Sequence, residues 1–423
     1  MTLVHRTHPR RRALRRSITA MLAVGAVTAA LTGCSAGSSA DSGSKTVTFL
    51  SWDNAATMKP VVAAFEKANP GYTANLSYAP PVPQYIQKLQ TLLGSGTAPD
   101  VFIITAENKT QIMNGGFAKD LSKESWTGNL ADAAKATYTK DGKLYGAATS
   151  SWGGGLLVNK QLLAKVGATS APATWDDFLA LCKKLKAAGI TPFYEGGDGM
   201  PVSLAALVGA ENASLGGKMD DQIWSGKTTF EKTWTPSVKA WSELFDQGLE
   251  SRSVAGLTGD QVTQQFEQGK VAMIGTGSWA LGGIQQSAPD LDLEYWPVPT
   301  PDGTAYWAGA VAPGYAINAK AKDPVAAEKF VSFLQSKEGV EVFQKQTAAI
   351  TTTADFQPKL DASLDQMTSA VRKGDFYLPA VSWPDHSDVM STQATALLQQ
   401  LIAGKISPKD VTEGLDQKLQ SVK

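Results

Sequence analysis

Between Thr46 and Ile104, short β-rich runs alternate with segments of helical period, and this alternation constrains the fold more than any other feature of the chain. Thr46 to Ser51 is a run of strand formers, and Met58, Val61, Val62 and Phe65 then recur at i, i+3, i+4 and i+7. That spacing predicts a helix, with Asn69-Pro70-Gly71 as its stop. Tyr72, Ala74, Leu76 and Tyr78 alternate as a strand, Tyr85, Leu89 and Leu92 mark a second helix, and Asp100 to Ile104 reads as a buried strand. A β-α-β-α-β order implies a parallel sheet covered by helices, because parallel strands need a crossover between them. Ligands at such sheets bind beyond the carboxyl ends of the strands. The pattern restarts after Tyr145, with an extended segment to Asn159, a helix at Trp175 and a strand near Thr191 to Tyr194. A helical region holding Val238, Trp241, Leu244 and Phe245 follows, then a strand at Val271 to Gly275. Two α/β lobes are expected, with no internal repeat.

Length and charge agree with two lobes. A chain of 423 residues exceeds one compact core and suits two domains plus an export signal. With 43% hydrophobic and 18% charged residues it has the balance of a globular protein, neither disordered nor membrane-embedded. The formal net charge of zero hides an asymmetry. Arg6, Arg10, Arg11, Arg12, Arg15 and Arg16 carry all the charge of residues 1–33, so beyond them 33 basic residues (39 less six) face 39 acidic ones. No basic stripe is present for a phosphate backbone, and no nucleic-acid partner is expected. The two cysteines are Cys34 and Cys182. Cys182 shares an apolar helical face with Trp175, Phe178, Leu179 and Leu185, and is expected to be a small core hydrophobe.

The N-terminus reads as an address. After the arginines comes the uncharged run Ser17 to Thr32, shorter than the roughly 20 residues of a membrane span but suited to a signal-peptide core. It ends in Leu31-Thr32-Gly33-Cys34, followed by the polar stretch Ser35 to Lys45. This arrangement resembles the bacterial lipobox. The resemblance implies removal of residues 1–33, a diacylglyceryl group on Cys34, and residues 34–45 as a flexible tether holding the domain at the outer face of the cell membrane. The alternative is an ordinary cleaved secretory signal, and the pairs Arg11-Arg12 and Arg15-Arg16 leave the export route open.

A series of short segments carries a wider resemblance. It begins with Ser51-Trp52-Asp53 at the end of the first strand, and Phe65-Glu66-Lys67-Ala68-Asn69-Pro70-Gly71. Gly96-Thr97-Ala98-Pro99-Asp100-Val101, Leu157-Val158-Asn159-Lys160-Gln161-Leu162-Leu163 and Thr174-Trp175-Asp176-Asp177-Phe178 follow. Then come Phe266-Glu267-Gln268-Gly269-Lys270-Val271-Ala272-Met273, Gly277-Ser278-Trp279, Tyr315-Ala316-Ile317-Asn318 and Ala327-Glu328-Lys329-Phe330. In this order the set resembles the bacterial extracellular solute-binding proteins of family 1, the maltose-binding type, across essentially all of the mature chain. The resemblance implies an α/β, two-lobed periplasmic-binding-protein-like fold, each lobe a mainly parallel sheet flanked by helices, joined by hinge strands. It puts the crossings near Thr149 to Gly154, Tyr295 to Thr300 and Thr347 to Thr353. Lobe 1 is then 46–150 with 300–348, and lobe 2 is 151–299 with 349–423. It further implies a monomer that captures a sugar and delivers it to the membrane permease subunits of an ABC importer, powered by a cytosolic ATPase.

A sugar offers an apolar C–H face and a rim of hydroxyls, so its site needs an aromatic plane with carboxylates or amides around it. By resemblance the candidates are Trp52, Asp53 and Asn54 after the first strand, Glu107 after Asp100 to Ile104, and Trp152 in the first crossing. Glu195 and Asp198 follow a second-lobe strand, and Trp279 matches the family's stacking aromatic. Trp307, Trp383 and Asp385, with His386 beside them, complete the set. Each has a plainer reading: a Trp is commonly core, and an acid after a strand is commonly a helix cap. Trp126, Trp175, Trp224, Trp234 and Trp241 are expected to be structural.

Other classes trail. A secreted carbohydrate-active hydrolase would also carry tryptophans and paired carboxylates. Only His386 remains beyond the signal region and no G-x-S-x-G occurs, which counts against Ser-His-Asp catalysis. No Walker A loop, H-E-x-x-H or metal-spaced Cys/His cluster appears, so no cofactor or metal is expected and the chain reads as a non-enzyme. A binding protein for a non-sugar solute such as a peptide remains the second alternative.

Overall fold

Strand β1 (Thr46–Ser51) buries Val47, Phe49 and Leu50, so both of its faces are covered. Helix α1 (Ala55–Ala68) leads to β2 (Thr73–Tyr78), and α2 (Val82–Gly94) leads to β3 (Val101–Ile104). β1 pairs in parallel with β2, Phe49 opposite Leu76, and in parallel with β3, Phe49 opposite Val101. β2 alternates exposed Thr73, Asn75 and Ser77 with half-buried Ala74, Leu76 and Tyr78, the pattern of an edge strand covered on one face. The computed structural model describes residues 45–353 and 356–423. The expected signal peptide, the lipobox with Cys34, and the tether through residue 44 lie outside the described residues.

Past a short helix α3 (Lys109–Asn114), the long strand β4 (Ser150–Asn159) opens the second lobe. Then follow α4 (Trp175–Ala187), β5 (Thr191–Glu195), α5 (Val202–Ser214), α6 (Phe230–Asp246), α7 (Gly259–Glu267) and β6 (Val271–Gly277). Thr174 and Asp177 form a reciprocal capping box at the start of α4, and Trp175 Nε1 donates to the Ala240 carbonyl at 2.9 Å. Cys182 is fully buried in this core, as its helical face requires.

β7 (Leu293–Trp296), β8 (Ala308–Val311), β9 (Gly314–Ile317), α8 (Pro324–Leu334), α9 (Lys337–Thr347) and β10 (Ile350–Thr351) come next. The chain ends with α10 (Asp365–Lys373), α11 (Ser387–Ile402) and α12 (Pro408–Val422). β9 returns to the first sheet, antiparallel to β3, giving the order β9-β3-β1-β2. The first core gathers Phe49, Phe65 and Phe330, the rings of Phe65 and Phe330 meeting edge-on at 5.0 Å. The buried Asp100 carboxylate accepts from Thr48 N and Oγ1 and from Lys322 N and Asp323 N, tying β1 to the segment before α8.

The second sheet has the order β8-β4-β6-β5, with β7 and β10 also paired to β4. Leu156 and Val158 face one core and Leu157 another, so this sheet too carries helices on both sides. Two expectations are corrected here. The second sheet is not mainly parallel: β4 is antiparallel to β6, β7, β8 and β10, and only β5 and β6 run together. The reason is that β5 and β6 run toward the gap between the lobes and end there, whereas β4 enters from the first lobe and runs away from it. The second crossing is also later than Tyr295 to Thr300. Tyr295 pairs with Leu157, and Val311 still pairs with Ser151, while Gly314 already pairs with Ile104. Passage therefore occurs at Val311–Gly314, because a whole buried strand, β8, first fills the edge beside β4, and residues 300–311 go with the second lobe.

Candidate functional site

Strand ends from both lobes converge on one cleft of about 630 Å³. From the first lobe, β1 ends at Ser51 and the chain turns into α1. Asn54 caps that helix, accepting from Thr57 N at 3.0 Å, so Asp53 is free of capping duty. Asp53 is half-buried, and its backbone N–H donates to Ser51 Oγ at 3.0 Å. Burial pushes its carboxyl up to about 6, against the opposing pull of hydrogen bonds from Ser51 and Trp52. Trp52 stands edge-on to Tyr85 at 6.3 Å, and the Tyr85 hydroxyl bonds both the carbonyl and the N–H of Ile103, fixing that ring. After β3, a closed turn holds Glu107 at the cleft. Asn108 Oδ1 accepts from Thr105 N at 2.8 Å, and Thr105 Oγ1 accepts from Asn108 N at 3.2 Å.

The second lobe supplies the rest. Trp152 lies near the start of β4 and Trp279 just past β6, with rings perpendicular at 4.9 Å. Trp279 is 50% exposed, and a Cβ on Gly277 would sit 1.9 Å from its ring. A Cβ on Gly275 would sit 2.1 Å from a Glu195 carboxyl oxygen. Two glycines on one face of β6 thus make room for the indole and for the carboxyl of β5.

Glu195 is almost wholly buried. Its carboxyl accepts from Ser203 N at 3.0 Å and from the Ser203 hydroxyl, which in turn accepts from Trp241 Nε1. Burial pushes Glu195 up to about 7 despite those hydrogen bonds. Behind it, Glu250 accepts from Glu195 N at 2.6 Å, and burial followed by repulsion from Glu195 holds its carboxyl well above the usual range. Asp198 accepts from Gly259 N at 3.0 Å and so joins the start of α7, the capping role considered for it, while still facing the cleft.

Of the eleven expected residues, Asn54, Glu107, Trp152, Glu195, Asp198 and Trp279 line the cleft together. Trp52 and Asp53 stand next to Asn54 but do not line it. Trp307 is 5% exposed and packs under Gly155 in the core behind the sheet. Trp383 is fully buried against Trp224, Trp234 and Phe230, the two indoles inclined to it by 30° and 29° at 5.8 and 6.2 Å. Asp385 accepts from His386 N and is likewise absent from the lining. Trp175, Trp234 and Trp241 are core, as expected. The sequence reading missed one wall. Asp260, Thr263, Gln264 and Glu267, at i, i+3, i+4 and i+7 along α7, face the cleft while Val262 and Phe266 are buried. That spacing marks a polar helix face in the sequence, though not the cleft it meets.

Known proteins agree with this architecture. The family profile of the bacterial extracellular solute-binding proteins matches residues 51–341. The multiple sugar-binding protein of Streptococcus mutans is 27% identical over 300 residues, covering 68% of this chain and 70% of that one. The maltooligosaccharide ABC transporter solute-binding lipoprotein of Streptococcus pneumoniae is 25% identical over 304 residues, 68% of each. The solved structure of a family 1 extracellular solute-binding protein from Bifidobacterium longum subsp. infantis is 34% identical, with a TM-score of 0.71 over 90% of this chain and 100% of that one. With two α/β lobes, a cleft between them and this match across most of its length, the chain belongs to the bacterial extracellular solute-binding protein family.

Proposed function

We propose that this protein captures a sugar outside the cell and presents it to the permease of an ABC importer, anchored to the membrane through a lipid on Cys34. The observation that carries the sugar reading is Trp279: a half-exposed indole braced on Trp152 at the mouth of a cleft rimmed by carboxyls and amides. An indole plane against the C–H face of a sugar combines apolar burial with dispersion, and the acids and amides accept from hydroxyls. In this reading the lobes rotate about the passages near Thr149–Ser150, Val311–Gly314 and Ala349–Ile350, and closure is driven by contacts from Asn54 and Glu107 that exist only when the gap narrows. The names of the relatives as sugar-binding transporter components, and not enzymes, support capture without chemistry.

Calorimetry of the mature domain against a panel of mono- and oligosaccharides tests this, with recovered ligand checked by mass. The expected result is one site with a Kd near or below about 1 µM and an unaltered sugar. Peptide binding with no sugar binding, or cleaved sugar in the recovered fraction, overturns it.

A further inference from the structure

Five carboxyl side chains line the cleft, those of Glu107, Glu195, Asp198, Asp260 and Glu267, and among the described residues no Lys, Arg or His does. They come from separate pieces of chain: the turn after β3, the end of β5, the loop beyond it, and the two ends of α7. None of them takes part in an ion pair among the described residues, although surface acids such as Glu124, Asp246 and Glu341 do. The cation nearest in sequence is turned away from them. Lys109, two residues after Glu107, donates to the Val381 carbonyl and faces Asp220, whose carboxyl also accepts from the Tyr377 hydroxyl at 2.9 Å. The buried lysine of this region is thus engaged elsewhere, and the charges of Glu107, Asp198, Asp260 and Glu267 are left without an internal counterion, while burial of Glu195 favours its neutral form below neutral pH.

We infer that the cleft selects its sugar by charge, preferring one that carries a protonated amine to its neutral parent and rejecting the corresponding uronate; this rests on the sugar-binding reading above. Lobe closure strips water from Glu107, Asp198, Asp260 and Glu267, Glu195 being buried already, and burying a carboxylate without a cationic partner is costly. Sugar hydroxyls relieve part of that cost by donating hydrogen bonds. An ammonium relieves more, since it donates and also neutralises. The same cation is favoured over the open face of an indole, which Trp279 presents at the same wall. A uronate would add a like charge to a cleft that has nothing to pair with it.

The test uses the mature domain and oligomers of equal length in two series, glucosamine with glucose and glucuronate, and galactosamine with galactose and galacturonate. Titrations are run below neutral pH and at low salt, so that the amines are protonated and screening is weak. In the series that binds, the amino sugar is expected to bind at least about tenfold more tightly than its neutral parent, and the uronate not measurably. Added salt should narrow the gap, because exposed charges are screened within about 10 Å at 0.1 M ionic strength. The double variant Asp260→Asn, Glu267→Gln should narrow it as well, whatever its effect on affinity for the neutral parent. Equal affinity for amino and neutral members, a uronate that binds as well as either, or no binding in both series overturns the inference. The broader sugar panel decides the sugar reading separately, so the two can fail independently.

Discussion

Replacing Trp279 with alanine separates a ligand platform from a packing residue, and the structure sets the size of the effect. A tryptophan presents about 250 Å² of largely apolar surface. Half of that, roughly 125 Å², is open here because Trp279 is 50% exposed. A ligand covering between half and all of the open area gains about 1.5–3 kcal/mol at some 25 cal/mol per Å². Trp279→Ala should then weaken sugar binding by about 10- to 150-fold. The remaining half of the ring rests on Trp152 and Gly277, so the loss of stability should be well below the 3–5 kcal/mol typical of a fully buried Trp→Ala. Trp383→Ala supplies the contrast, since Trp383 is wholly enclosed by Trp224, Trp234 and Phe230. It should melt at a clearly lower temperature, with the folded fraction binding as before. Calorimetric Kd and melting temperature measured on both variants decide the matter. Trp279→Ala with affinity intact and a large drop in melting temperature would refute the assignment.

Two further outcomes are expected, one from the buried carboxyls and one from the sequence at Cys34. Burial raises Glu195 and Asp220 to about 7, so both are more readily protonated in the folded than in the unfolded chain. The stability they contribute is full below the ordinary carboxyl range, near 4, and is lost as pH rises through about 7. The ligand-free melting temperature should therefore fall between about pH 5 and pH 8, and Glu195→Gln should flatten the decline; a melting temperature that rises across this range would contradict the burial argument. At the other end of the chain, Cys34→Ala should abolish incorporation of a palmitate analogue in growing cells, and equal label on variant and parent would remove the lipid anchor.

Strand and helix positions were legible because each apolar period is local. The runs at Thr46 to Ser51, Asp100 to Ile104 and Val271 to Gly275 all became strands, and the helix at Trp175 formed where Thr174 and Asp177 could cap it. Strand direction was not legible. Leu156, Leu157 and Val158 are buried on both faces of the sheet, and such a run looks the same whichever way its neighbours point. Within the site, Trp279 was legible through the resemblance, and the structure adds that Gly277 makes way for its ring. Trp307 and Trp383 carry no comparable local mark. What buries Trp383 is a set of aromatic rings on α6 and the segment before it, far earlier in the chain. The wall formed by α7 was hidden for the opposite reason, because Asp260, Thr263, Gln264 and Glu267 look like any solvated helix face until the fold puts a cleft in front of them.

The place of β9 has a consequence for how the molecule is made. β3 is complete at Ile104, but the strand that covers its free edge begins at Gly314, about 210 residues later. At synthesis rates of roughly 5–20 residues per second, the nascent first lobe waits on the order of 10–40 s with Val101 to Ile104, four fully buried residues of the finished protein, presenting an unpaired edge. An apolar strand edge left open that long is a template for association with other chains. The first lobe therefore cannot be completed as an N-terminal unit, and its sheet closes only once residues 314–317 are present.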